Sequence, residues 1–139
     1  MKHCELCQQQ GDVITEAADW RVVLVNDAHY PGFCRVIWNH HVKEMTDLSA
    51  TQRNTLMGVV WQVEAAIRSV MQPHKINVAS LGNVVPHLHW HVIPRYADDM
   101  HFPNPIWGQV ERSITPALQQ RLALVETLKA AIQEQLSRK

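Results

Sequence analysis

Three histidines stand at every second position of the stretch PHLHWHVIPR, residues 86–95. They are His87, His89 and His91, separated by Leu88 and Trp90 and followed by Val92. Strict alternation has the period of a β-strand, whose successive side chains point to opposite faces. The spacing predicts a strand over 87–94 with the imidazoles on one face and the apolar side chains on the other. The apolar face can pack on a core, whereas a row of imidazoles gains nothing from packing. Two chemistries suit such a row, set against the plain alternative of a solvated polar face. Histidines two apart on a strand can face one ion, and imidazole suits zinc. A neutral imidazole with one nitrogen free is also a nucleophile near pH 7, with its neighbours available to handle protons and bind anionic oxygens.

The elements that must position these residues can be read from pattern. WRVVLV (20–25) and FCRVIW (33–38) predict two strands, joined by NDAHYPG as a turn into an antiparallel hairpin. Ser49-Ala50-Thr51-Gln52 fits a capping box, and Leu56, Val60, Val63, Ile67 and Val70 form one helical stripe up to Pro73. KINVASL (75–81) predicts a strand, and Gly82-Asn83 turns the chain into the histidine strand. Residues 97–114 read as irregular. A last helix over about 116–137 opens at Thr115-Pro116, with Leu118, Leu122, Val125, Leu128, Ile132 and Leu136 as its stripe. The order predicts one α+β domain over 1–139, with a mainly antiparallel sheet, one long central helix and a C-terminal helix.

Composition narrows the partners. The chain has 139 residues, enough for one domain with its own core. Thirteen basic residues balance thirteen acidic ones, so bulk charge favours neither nucleic acid nor an anionic membrane. No apolar run is long enough to span a bilayer. Cys4, Cys7 and Cys34 make an odd count that includes a C-x-x-C pair, which predicts reduced thiols. With no apolar signal core in MKHCELCQQQGD, the expected location is the cytoplasm.

His87-Leu88-His89-Trp90-His91-Val92-Ile93 resembles the histidine triad motif, His-φ-His-φ-His-φ-φ with φ apolar, of the HIT superfamily. RVVLVNDAHYPGFCRVIWNHHVKEMTDLS and KINVASLGNVVPHLHWHVIPR are similar to the segments that surround that motif, so the resemblance covers about 1–110. It implies a compact α+β fold, a homodimer, and a nucleotide hydrolase or transferase. The implied chemistry is cleavage at the α-phosphorus with release of a nucleoside monophosphate. Substrates would be dinucleoside polyphosphates, as in the Fhit-like branch, or nucleoside phosphoramidates, as in the Hint-like branch. By the same resemblance His89 is the nucleophile, forming a nucleotidyl-histidine that water then releases. A hydrogen bond from Nδ1 of His89 to the carbonyl of His87 would fix its tautomer, and His91 would serve the phosphate and leaving-group oxygens. Asn77, Gly82 and Asn83 would complete the phosphate site. Asn26 or Asp27 would hold the ribose hydroxyls, Asp27 being the better match for a cis-diol. No cofactor is needed for that chemistry.

The chain departs from the family pattern at two places. Val84 stands where a Ser or Thr hydroxyl often serves the leaving group, and Phe33 stands where many members carry a histidine after the Pro-Gly turn. These departures keep a second reading in play, a zinc-stabilised nucleotide-binding protein with little turnover. A third reading makes the triad itself a metal site. The resemblance also implies a structural zinc in some bacterial members, for which the matching residues are Cys4, Cys7, His41 and His87, with His40 competing with His41. Cys34, inside a strand, is expected in the core. Trp107 is expected either to line the site or to pack beneath it.

Overall fold

The computed structural model describes residues 4–8 and 11–137. A short 3-10 turn, Glu5–Gln8, leads into β1 (Asp12–Glu16), β2 (Trp20–Leu24) and β3 (Cys34–Trp38). The long helix α1 (Ala50–Met71) follows, then β4 (Lys75–Ala79), β5 (His89–Arg95), α2 (Ala117–Leu122) and α3 (Val125–Ser137). The five strands form one sheet in the order β1-β2-β3-β5-β4, and each adjacent pair is antiparallel. This is the α+β architecture expected from the strand and helix order.

Alternation along the strands gives the sheet two unlike faces. Val22, Leu24, Cys34, Val36, Trp38 and Val92 are buried against α1, which contributes Leu56, Val60, Val63 and Ile67. Burying each such aliphatic side chain stabilises the fold by roughly 1.5–3 kcal/mol. Cys34 has no exposed surface, and burial pushes its thiol up to about 12, so it is an inert core residue. The opposite face carries Arg21, Arg35 and the imidazoles of His89 and His91, with Val23, Ile37 and Leu6 packed beside them.

The cap of α1 is the one its sequence predicts. Ser49 Oγ accepts the Gln52 N–H at 3.2 Å, and Gln52 Oε1 accepts the Ser49 N–H at 2.8 Å. The helix ends at Met71 because Gln72 turns left-handed (φ 48°) ahead of Pro73. Gly32 has φ 87°, and a Cβ there would lie 3.2 Å from Leu128 Cδ2 and 3.3 Å from Met71 Cε. The Pro31-Gly32 turn therefore needs glycine both for its backbone and for room beneath α1 and α3.

Three elements differ from the sequence reading. β1 was not expected; its register slips between Val13 and Thr15, and that bulge breaks the alternation that would announce a strand. The histidine strand begins at His89, not at residue 87. Leu88 donates its N–H to the Val42 carbonyl and accepts from Trp38 N–H, so residues 87–88 are tied to the end of β3 and the loop after it. The C-terminal helix is two helices. Arg121 of α2 is held by Asp98 at 2.8 Å and stacks 3.6 Å over Tyr96, while Leu128 and Ile132 of α3 are buried in the core with α1. Those two anchors lie in different directions, and the chain bends at Ala123–Leu124 to reach both.

The irregular segment after β5 is pinned by one buried ion pair. Arg95 Nε and Nη2 donate to Asp99 Oδ2 and Oδ1 at 2.8 and 3.0 Å, and both side chains are nearly inaccessible. Asp99 also accepts the backbone N–H groups of Tyr96, His101 and Phe102. Burial by itself would raise the Asp99 carboxyl, but Arg95 and these N–H donors outweigh it and hold it down at about 2. Its stabilising contribution is thus complete above the ordinary carboxylate range and disappears as pH falls toward 2. Asp99→Ala is expected to cost roughly 3–5 kcal/mol in urea unfolding at pH 7, because it strands the buried Arg95 charge. Wild-type stability should also fall more steeply between about pH 4 and 2 than that of Asp99→Asn. Equal acid slopes would remove Asp99 from this role.

Candidate active site and metal-ligand cluster

On the face of the sheet turned away from α1, register sets the site. His89 lies opposite Ile37 of β3, and His91 lies between Arg35 of β3 and Ala79 of β4. The His89 and His91 rings sit edge to face with centroids 4.9 Å apart. His89 Nδ1 donates to the His87 carbonyl at 2.6 Å. That bond assigns the proton to Nδ1 and leaves Nε2 with its lone pair free. Burial lowers the His89 pKa below the ordinary histidine value; the bond to the His87 carbonyl opposes this, and the Arg35 charge adds to it. Burial, then His89 and Arg35, lower His91 further, to about 4. Both rings are therefore neutral at physiological pH.

His89 and His91 line an open cavity of about 390 Å³ together with Arg35, Gly82, Asn83 and Trp107. Gly82 has φ 72°, which lets the 82–85 turn fold over the mouth of this cavity. Val84 borders the same cavity but is 93% exposed, and its side chain offers no hydroxyl. Trp107 meets the His91 ring at 5.0 Å, and Phe33 packs against the same imidazole at 5.6 Å. Of the two options for Trp107, the lining position is the one seen.

Other expected site residues lie apart. Asn77 is on the histidine face, but its Oδ1 accepts from Arg95 Nη1 at 2.7 Å, and it borders a neighbouring groove along β4. Asn26 and Asp27 border a separate cavity with Gly32, Leu122 and Glu126. Asp27 Oδ1 accepts the His29 N–H at 2.9 Å, closing its own turn. Two arginines were missed by the sequence reading, Arg21 and Arg35. Alternation in WRVVLV and FCRVIW puts them on one face of their strands, but their meeting with the histidine strand follows only from strand pairing.

His87 takes no place in the cavity. Its Nδ1 lies 3.4 Å from Cys4 Sγ, 3.5 Å from Cys7 Sγ and 3.2 Å from His41 Nδ1. Cys7 Sγ is 3.3 Å from His41 Nδ1, and all four donor atoms lie within 4.8 Å of one another. A tetrahedral ion with bonds of about 2.0–2.1 Å to nitrogen and 2.3 Å to sulfur would separate its donors by about 3.3–3.8 Å. The cluster therefore fits a metal ion in both donor type and spacing. His40 is directed elsewhere, its Nε2 2.9 Å from Asp19 Oδ1. His87 Nε2–H donates to the Trp38 carbonyl at 2.6 Å, which leaves Nδ1 for a metal. Arg21 Nη2 donates to the Leu6 carbonyl at 2.5 Å and so anchors the turn between the two cysteines. Because His87 is engaged in this cluster, the three imidazoles of the triad do not converge on one ion. Among the described residues no helix is long and apolar enough to cross a membrane.

Comparison with known proteins agrees with this geometry. The chain is 29% identical over 110 residues to AP-4-A phosphorylase of Mycobacterium tuberculosis (strain ATCC 25618 / H37Rv), covering 75% of this chain and 56% of that protein. It is 27% identical over 88 residues to the asymmetrical bis(5'-nucleosyl)-tetraphosphatase of Schizosaccharomyces pombe (strain 972 / ATCC 24843), covering 60% and 48%. The chain thus spans about half the length of the curated relatives it matches. The crystal structure of histidine triad protein blr8122 from Bradyrhizobium japonicum superposes with a TM-score of 0.75 at 26% identity, over 96% of both chains. Residues 7–98, which hold β1 to β5, α1 and the whole triad, match the family model of the HIT domain, and the chain belongs to that family.

Proposed function

We propose that the protein is a nucleotide hydrolase or transferase that cleaves at the α-phosphate through a nucleotidyl-His89 intermediate and releases a nucleoside monophosphate. The observation that carries this reading is the 2.6 Å bond from His89 Nδ1 to the His87 carbonyl, which directs nucleophilicity to Nε2. Nε2 bonds to the α-phosphorus as the bond to the leaving oxygen or nitrogen breaks, and the electron pair departs with that atom. Water then breaks the N–P bond, freeing the monophosphate and restoring His89. His91, which lines the same cavity, would hydrogen-bond the phosphate and leaving-group oxygens. Gly82 and Asn83 border the phosphate at the cavity mouth. The names of the relatives favour dinucleoside polyphosphates as substrates, and nucleoside phosphoramidates are the alternative class.

Rapid quench and mass spectrometry with diadenosine tetraphosphate and adenosine phosphoramidate test the reading. An adenylyl adduct on His89 is expected with at least one of them. Binding of adenosine monophosphate with no adduct and no turnover would favour the second reading, a nucleotide-binding protein with little turnover. The absence of a hydroxyl at position 84 is the feature that favours that alternative.

A structural zinc on Cys4, Cys7, His41 and His87 belongs to the same proposal. It would supply a cross-link between the N-terminal turn, the loop after β3 and the residue before β5. A homodimer belongs to it as well. Among the described residues β4 pairs only with β5, and Trp61 and Trp107 are 53% and 51% exposed beside its open edge. Sedimentation velocity at micromolar concentration is expected to give twice the mass of one chain, and a monomer would remove this part.

A further inference from the structure

Arg35 faces the histidine cavity with its hydrogen-bonding capacity only partly spent. It sits on β3 directly opposite His91, one pleat row beyond the Ile37–His89 pair. Two rows on one strand face are about 6.6–6.8 Å apart. The Arg35 Nε is buried without a hydrogen-bond partner, and the neighbouring His91 Nδ1 is in the same state. No carboxylate among the described residues forms an ion pair with Arg35. Glu5, the acidic residue whose field reaches it, is exposed at the cavity rim. Burying a guanidinium without a counter-charge is costly, and burial lowers its pKa here. Arg35 lines the cavity beside His91 with no carboxylate among the described residues to neutralise it, and a guanidinium so placed asks for a ligand rich in acceptor oxygens. A guanidinium is the side chain best matched to phosphate, which it can grip with two parallel N–H bonds.

We propose that Arg35 clamps the phosphate chain on the leaving-group side of the α-phosphorus, so that the site selects anionic polyphosphate leaving groups over amines. The inference rests on the proposed reading, in which His89 attacks and His91 serves the leaving-group side. In an in-line displacement the leaving group points away from the attacking nitrogen. Arg35 shares His91's row and not that of His89, which sets the positive charge where negative charge accumulates as the bond breaks. A phosphoramidate whose leaving group is a simple amine carries no phosphate chain for the clamp to hold. Arg35 would thus also offset the missing hydroxyl at Val84, by stabilising the leaving group through charge.

The test compares wild type, Arg35→Met and Arg35→Lys by two independent measurements. The first is kcat and KM for diadenosine tetraphosphate and adenosine phosphoramidate. Arg35→Met is expected to lose at least about tenfold more kcat/KM on the tetraphosphate than on the phosphoramidate, with part of the loss in kcat, and Arg35→Lys to recover part of it. The second is calorimetric binding of inorganic tripolyphosphate, which needs no turnover. Its affinity is expected to fall roughly 10–100-fold in Arg35→Met, while adenosine monophosphate binds both proteins within a few-fold. Equal losses on both substrates, or tripolyphosphate binding that ignores residue 35, would overturn the inference. Arg35-dependent tripolyphosphate binding without turnover of either substrate would sink the catalytic reading and leave the clamp standing. Thermal melts check folding, and Arg35→Met should melt close to wild type because the half-buried guanidinium it removes has no ion-pair partner among the described residues.

Discussion

His89→Ala is expected to lower kcat/KM for nucleotide cleavage by at least about 10⁴-fold, the scale seen when a covalent nucleophile is removed from an otherwise intact site. The expectation follows from how little else in the cavity could replace it. His91 is one row further along β5, its pKa is held down at about 4 by burial and by His89 and Arg35, and Phe33 and Trp107 hem in its ring. His87 is turned into the cysteine cluster. What remains in the mutant is the set of donors that position the phosphate, and these contribute to both steps without forming a bond. The substitution should leave the fold intact, since β5 is held in the core by Trp90 and Val92 on the opposite face and by Ile93 against Tyr30 and Phe33. Circular dichroism and calorimetric binding of adenosine monophosphate provide that check. Turnover retained within about tenfold would exclude the nucleotidyl-His89 intermediate. Loss of turnover together with loss of the quenched adduct, with binding preserved, is the result expected.

Removal of the metal is the second large effect expected. Purified protein should carry close to one zinc per chain, and Cys7→Ser should carry far less, as read by elemental analysis. A ligand present at about a thousand times its dissociation constant stabilises the native state by about 4 kcal/mol. For a domain of this size that corresponds to a melting temperature lower by about 10–20 °C after chelation. Activity should fall as well, although no step of the reaction passes through the metal. The His87 ring is gripped by the cluster, and the carbonyl of that same residue fixes the tautomer of His89. Loosening residue 87 therefore loosens His89, the proposed nucleophile. Zinc added back to chelated protein should restore both melting temperature and turnover. Protein that holds no metal when prepared without chelator, and whose melting ignores EDTA, would refute the structural zinc.

The same residues show how far sequence alone could go. Alternation in HLHWHV announced a two-faced segment, and its apolar half does pack on the core. The capping box at Ser49, the stop at Pro73 and the stripe of α1 were legible because each is set by neighbours within a turn or two of helix. The family was legible because its signature is a run of contiguous residues. The Cys4, Cys7, His41, His87 set could be named by resemblance, but not the choice of His41 over His40. That choice depends on Asp19, which lies on the turn before β2 and captures His40.

What only the tertiary structure decided is what meets across strands. Local pattern specifies which face of a strand a side chain occupies, but not which residue of another strand stands beside it. Arg35 is unremarkable within FCRVIW and becomes part of the site only because β3 pairs with β5 in a register that sets it opposite His91. Asn77 is drawn to Arg95, and Asn26 and Asp27 to another cavity, for the same reason. The bulge in β1 and the bend between α2 and α3 also answer to distant partners. Equal spacing alone does not distinguish the three histidines, whose separate roles the family resemblance implied. His87 lies just before the ladder begins, so its ring reaches the cysteines while its carbonyl still reaches His89. Sequence by itself determined the kind of chemistry available, since that lies in residue type and short spacing. The fold decided which residues share the chemistry, since register and loop closure join parts of the chain far apart in sequence.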